Sequence, residues 1–166
     1  MKKGFSLVEI MVCVGIIFVI IGAIFYVFKA GREFISTVSL KLELLDEVRN
    51  VLRFMEKEII TSRVSFLNIP ADDNFYNSLT FKIPQDIDED GNITWSPDIT
   101  YSLNGGNLVR TQEDNTQIIM SGITDLKFRI RSTLPQVLEI YITASKNTSW
   151  MKTITVNLST KIRLRN

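Results

Sequence analysis

From Ile10 to Phe28 the chain runs for 19 residues without a charge, rich in Ile, Val and Phe. At about 1.5 Å per residue a helix of that length covers about 28 Å, close to the hydrocarbon core of a bilayer. The pattern predicts a membrane-spanning helix. Beyond Lys29 the apolar positions thin to spacings of three and four, at Ile35, Val38, Leu42, Leu45, Val48, Leu52, Met55 and Ile59. Glu33, Lys41, Glu43, Asp46, Glu47, Arg49, Arg53 and Lys57 fall on the other faces, so this stretch reads as an amphipathic helix. No proline occurs before Pro70, and the two stretches are expected to form one helix reaching about Ser62.

From Val64 the period drops to two. Strands are expected at 79–83 (LTFKI), 99–103 (ITYSL), 107–111 (NLVRT), 126–131 (LKFRIR), 137–143 (VLEIYIT) and 151–164 (MKTITVNLSTKIRL). Asn104-Gly105-Gly106 reads as a hairpin turn, because successive glycines supply the positive φ angles that primed turns need. Fewer than five heptads followed by strand-like sequence favour packing of the helical stripe on the chain's own sheet over a coiled coil. The expected fold class is therefore α+β, a long N-terminal helix with a membrane half and an amphipathic half, packed on an antiparallel β-sheet head.

Composition removes several chemistries. Among 166 residues there is no histidine, which excludes histidine bases, triads and ligands, and the single cysteine, Cys13, can form neither an intrachain disulfide nor a thiolate zinc site. A formal charge of +1 names no polyanionic partner. No clustered polar site stands out, and the expectation is a protein that is not an enzyme. Lys2 and Lys3 ahead of the apolar run predict a cytoplasmic N-terminus with the remainder outside, and Lys29 and Arg32 mark the far interface. The run is too long for a secretory signal and lacks a small-residue cleavage site at its end.

Glu9 is out of place between Val8 and Ile10, since an ionised carboxylate near the middle of a membrane helix costs about 2.5–3.5 kcal/mol on insertion scales. It calls for a cation, and none follows within the next 19 residues. An α-amino group on Phe5, one helical turn earlier, would serve if the chain were cut after Gly4.

The residues Lys2 to Ile10, KKGFSLVEI, resemble the cleavage and methylation motif of type IV prepilins: a basic leader, a glycine, a phenylalanine, a glutamate four residues later and an apolar helix. The resemblance covers about the first 28 residues. It implies that Gly4 ends a leader removed by a prepilin peptidase, that Phe5 is the methylated mature N-terminus, and that Glu9 meets a neighbouring subunit's terminal amine. The implied organisation is a leader at 1–4, a transmembrane and filament-core helix at 5–28, the amphipathic half at 29–62 and a β-rich head at 63–166. Further along, DIDEDGN, ITYSLNGGNLVRT and a final KIRLRN are similar in order to W-type minor pilins and J-type minor pseudopilins. The implied role is a structural subunit near the tip of a type IV pilus or type II secretion pseudopilus. Other pilins or pseudopilins would be its partners through the helix, after a single-pass stage in a bacterial inner membrane with the head in the periplasm. The alternative is a DNA- or surface-binding tip subunit of a competence or adhesion pilus.

Two head features bear on binding. Asp86, Asp88 and Asp90 with Asn92 match the start of a calcium loop, but its twelfth position is Pro97, with Asp98 as the substitute; an acidic surface turn and a calcium site both remain open, and no other cofactor is expected. Charge is also segregated, with seven acids and only Lys82 between Asp72 and Asp98, and eight basic residues and only Glu139 between Leu126 and Asn166. A solvated sheet face is the plain reading, and an interface between acidic and basic surfaces of different subunits is the sharper one. Nucleic acid is disfavoured because no stacking aromatics interleave with the basic residues.

Overall fold

The computed structural model describes residues 6–88, 91–133, 136–148 and 152–164. Among the described residues a single helix, α1 (Leu7–Ile59), is followed by a 3-10 turn at Val64–Phe66 and nine strands. These are β1 (Ser78–Phe81), β2 (Pro84–Ile87), β3 (Ile93–Trp95), β4 (Ile99–Asn104), β5 (Asn107–Gln112), β6 (Asn115–Ser121), β7 (Ile123–Ile130), β8 (Val137–Asn147) and β9 (Thr153–Arg163). The α+β class is as expected, but the described residues of the head form three antiparallel sheets, ordered β1-β4-β5-β6, β2-β3 and β7-β8-β9.

The chain divides into two compact units, residues 1–39 and 40–166. In the first unit, every described residue lies on α1 or at its N-cap, and none is buried. In the second, the end of α1 packs on the sheets. Its buried residues are Leu44, Val48, Val51, Leu52, Met55 and Ile59, with Leu45 packed at the margin. This shifts the expected stripe: Ile35, Val38 and Leu42 stay exposed at 66%, 39% and 56%, and Leu44 and Val51 take part instead. The helix stops three residues short of Ser62, where its last turn tightens through Thr61 and Ser62 amides donating to the Glu58 and Ile59 carbonyls.

Alternation decides the faces of the β7-β8-β9 sheet. Leu126, Phe128 and Ile130 on β7, Leu138, Ile140, Ile142 and Ala144 on β8, and Ile154, Val156 and Ile162 on β9 point into the core. Phe81 and Tyr101 stack at 5.7 Å in the other large sheet and close the core from that side. The predicted turn after Asn104 is present, with Gly105 at φ 56° and Gly106 at φ 78°. Between β6 and β7, Gly122 (φ 80°) passes the Ser145 carbonyl so closely that a Cβ would lie 2.9 Å from that oxygen, while Ser145 N–H donates to Gly122 O.

Three strands escaped the pattern. β6 reads NTQIIMS, without alternation, after a Glu113-Asp114 turn in which Glu113, not a glycine, adopts φ 53°. The hairpin of β2 and β3 has no buried residue on either strand, so it carries no apolar period to detect. The segment from Val64 to Asn77, expected to join the two-residue period, is the 3-10 turn followed by irregular chain. That chain lies along the edge of β7 through reciprocal Tyr76–Phe128 backbone bonds of 2.8 Å.

Candidate functional site

Gly4 and Phe5 lie outside the described residues. Glu9 sits exposed in the first turn of α1, and its Oε2 accepts the Ser6 backbone N–H at 2.9 Å. Ser6-Leu7-Val8-Glu9 is thus the S-x-x-E helix-start signature, which the sequence reading passed over. The carboxylate serves the helix's own N-terminus in the isolated chain, and its sequence neighbours Leu7, Val8 and Ile10 are exposed. Among the described residues one helix, with an 18-residue stretch of mean hydropathy 3.0 and nothing in that stretch buried, is long and apolar enough to cross a membrane.

The residues proposed for calcium are spread along the β2-β3 hairpin. Asp86 Oδ1 accepts the Ile87 amide at 2.8 Å, and Asp88 closes the turn, its carboxylate accepting the Asn92 backbone N–H at 2.7 Å and the Asn92 side-chain amide at 3.1 Å. Asp98 lies beyond β3 and pairs with Lys82 at 3.6 Å. Asp90 lies outside the described residues. Among the described residues, no three acidic, cysteine or histidine side chains converge so as to hold a metal ion.

The densest electrostatic arrangement in the head is one that sequence reading did not assemble. On the outer face of the β7-β8-β9 sheet, Glu139 has a side chain only 2% exposed. Its carboxylate receives Arg129, Arg131 Nε at 3.3 Å, Lys161 Nζ at 3.2 Å and the Tyr141 hydroxyl at 2.9 Å. Burial alone would raise this carboxyl. The donors from Arg129, Tyr141, Lys161 and Arg131 outweigh it and bring the pKa down to about 2. Cross-strand register makes the cluster, since Arg129 faces Glu139 on β8 and Glu139 faces Lys161 on β9. Glu139 was visible as the lone acid of a basic stretch, but its role needed the pairing.

The aromatic residues found missing from the basic strands do exist on this face. Phe75, arriving from the chain before β1, packs edge-on to Tyr141 at 5.4 Å, and the Arg129 guanidinium lies 4.4 Å from the Phe75 ring. The ground on which sequence disfavoured nucleic acid is therefore corrected: Phe75 is distant in sequence from the strands it covers. Arg129 itself donates to Glu139 and Tyr141. A shallow recess of about 410 Å³ adjoins the cluster, lined by Asp73, Arg131, Thr133, Val137, Glu139 and Lys161.

A second cluster ties α1 to the β4-β5 pair. Glu58 receives the hydroxyl of the fully buried Tyr101 and pairs with Arg110 at 3.1 Å, the two charged side chains being 18% and 15% exposed. Burial first, and then the Glu58 carboxylate, raise the Tyr101 pKa and keep it neutral. Both clusters pair their charges within the head, Glu139 with Arg129, Arg131 and Lys161 and Glu58 with Arg110. Comparison with family models, with curated proteins and with solved structures finds no match to this chain.

Proposed function

We propose that the chain is a minor pilin or minor pseudopilin, cut after Gly4 by a prepilin peptidase, methylated on Phe5 and assembled through its helix near the tip of a type IV pilus or a type II secretion pseudopilus. The observation that carries this reading is a helix whose first half buries nothing, beginning at a carboxylate one turn beyond a Gly-Phe junction. An exposed surface of Leu7, Ile10, Met11, Val14, Phe18 and Ile21 needs lipid before assembly and apolar helices of other subunits after it. Glu9 fits that second environment when a neighbour's terminal amine replaces the Ser6 amide as its partner. Lys2 and Lys3 hold the leader in the cytoplasm, so the head folds outside it in the periplasm.

Intact mass spectrometry of the chain made with an active prepilin peptidase tests the processing step. The expected product begins at N-methylated Phe5; a chain still beginning at Met1 would remove the assignment. Glu9→Val should leave membrane insertion intact and reduce co-purification with partner subunits. Unchanged recovery would count against the amine pairing.

A further inference from the structure

The outer face of the β7-β8-β9 sheet carries Lys127, Arg129, Arg131, Lys161 and Arg163 against Asp125, Glu139 and the adjoining Asp73. Glu139 fixes three of those cations in place; Arg129 is largely covered, while Arg131 and Lys161 are held with part of their side chains exposed, which lowers the entropic cost of meeting a partner. The excess collects at one corner, where Lys161 is 69% exposed, Arg131 is 42% exposed and Arg163, also exposed, faces Val137 across the ladder. Phe75, 48% exposed, lies on the same sheet face at the β7 edge, against Arg129 and Tyr141.

The same chain carries the complement. The β2-β3 hairpin, Pro84 to Trp95, holds Asp86, Asp88, Glu89 and Asp90 and no basic residue. It forms a sheet of only two strands, an arrangement that is marginal in water without cover, and exposes Ile87 at 64% between Asp86 and Asp88 in sequence. Trp95 packs on Phe66 at 4.4 Å and anchors the base, leaving the β2 strand open.

We propose that the acidic hairpin of one copy docks on the basic corner of the β7-β8-β9 face of a second copy, Asp86 and Asp88 against Arg131, Lys161 and Arg163 and Ile87 toward Val137. Two different surfaces meet, so the contact is heterologous and repeats head to tail. A hairpin on a sheet corner buries less than the roughly 1,200 Å² of a stable soluble complex, and it acts when copies share a membrane or filament through α1 and their local concentration is high. The inference shares only the membrane tether with the proposed function; its test needs neither peptidase nor other subunits.

The test uses the full chain with Cys13→Ser, reconstituted in phosphatidylcholine vesicles. One preparation carries Ile87→Cys and another Thr133→Cys, and the two are mixed under mild oxidation. The mixed disulfide should exceed either self-linked product and fall several-fold at about 0.5 M salt. Arg163→Glu in the Thr133→Cys copy should lower it at least about fivefold, and Asp86→Lys in the other copy should restore it. Arg163→Gln, with trypsin resistance as the check on folding, should give a smaller loss in the same direction. Self-linked Thr133→Cys chains in excess would mean a symmetric dimer and overturn the proposal. So would a mixed yield indifferent to salt and to Arg163→Glu.

Discussion

The two halves of α1 differ in apolar pattern and have opposite fates: residues 10–28 carry no charge, whereas Lys41, Glu43, Asp46, Glu47, Arg49, Arg53 and Lys57 interrupt the second half. Before Ser39 the helix buries nothing, and Phe18, Val19 and Phe25 are 70%, 73% and 69% exposed. After Leu40 the same helix buries Leu44, Val48, Met55 and Ile59 almost completely. The first half has apolar residues all round and no polar face to give to water, so its stability as a helix depends on surroundings outside the chain. The second half confines its apolar residues to one side and finds its cover in the chain's own sheets. Hydrophobicity alone therefore does not tell where a helix is buried; the width of the apolar stripe does.

The most direct way to break this comparison is to remove the first half. A fragment of residues 40–166 keeps the whole hydrophobic core and the Glu58 and Glu139 clusters. It is expected to be soluble without detergent, monomeric by size exclusion, and to unfold in one cooperative transition followed by circular dichroism. The full chain should require detergent or lipid. A fragment that aggregates or melts without cooperativity would mean that residues 1–39 support the head.

A finer cut falls within the stripe. Met55 is fully buried and Leu42 is 56% exposed, although both belong to the same three-and-four spacing. In the fragment, Met55→Ala should cost about 2–5 kcal/mol in urea unfolding, whereas Leu42→Ala should stay within about 0.5 kcal/mol. Comparable losses would show that the sheet covers the helix further toward its N-terminus than Leu44.

The helix, its two regimes and the β character of the head were legible because each rests on a period that survives in a single sequence. The boundary of burial at Leu44 was not, because Ile35, Val38 and Leu42 continue the stripe past the place where the sheets end. The β2-β3 hairpin and β6 were hidden for the opposite reason, having too little buried surface to impose a period. At the candidate site, Glu9 was legible as a charge in an apolar run, while its Ser6 partner needed only the capping signature. Glu139 could not be read, since Arg129, Lys161 and Phe75 come together through register and a returning loop.

The smallest effect concerns where the pH dependence of the fold resides. Glu139 has a folded pKa of about 2 against an ordinary value of 4.5, so the folded chain favours the carboxylate. Its contribution is complete above the ordinary value, is lost as pH falls from about 4.5 to about 2, and amounts at most to roughly 3 kcal/mol. Asp72, held low by Tyr76 and Asn74, acts in the same direction from an exposed position. Glu139→Gln separates the two, because it removes the titrating group while keeping its shape. Urea midpoints measured between pH 6 and pH 2.5 should fall steeply for the unsubstituted fragment and less steeply for Glu139→Gln, which starts lower. Equal slopes would assign the acid sensitivity to the exposed carboxylates. If the full chain in detergent gave a slope different from the fragment's, the first half of α1 would have to contribute to the head's acid response, and the two halves would no longer be energetically separate.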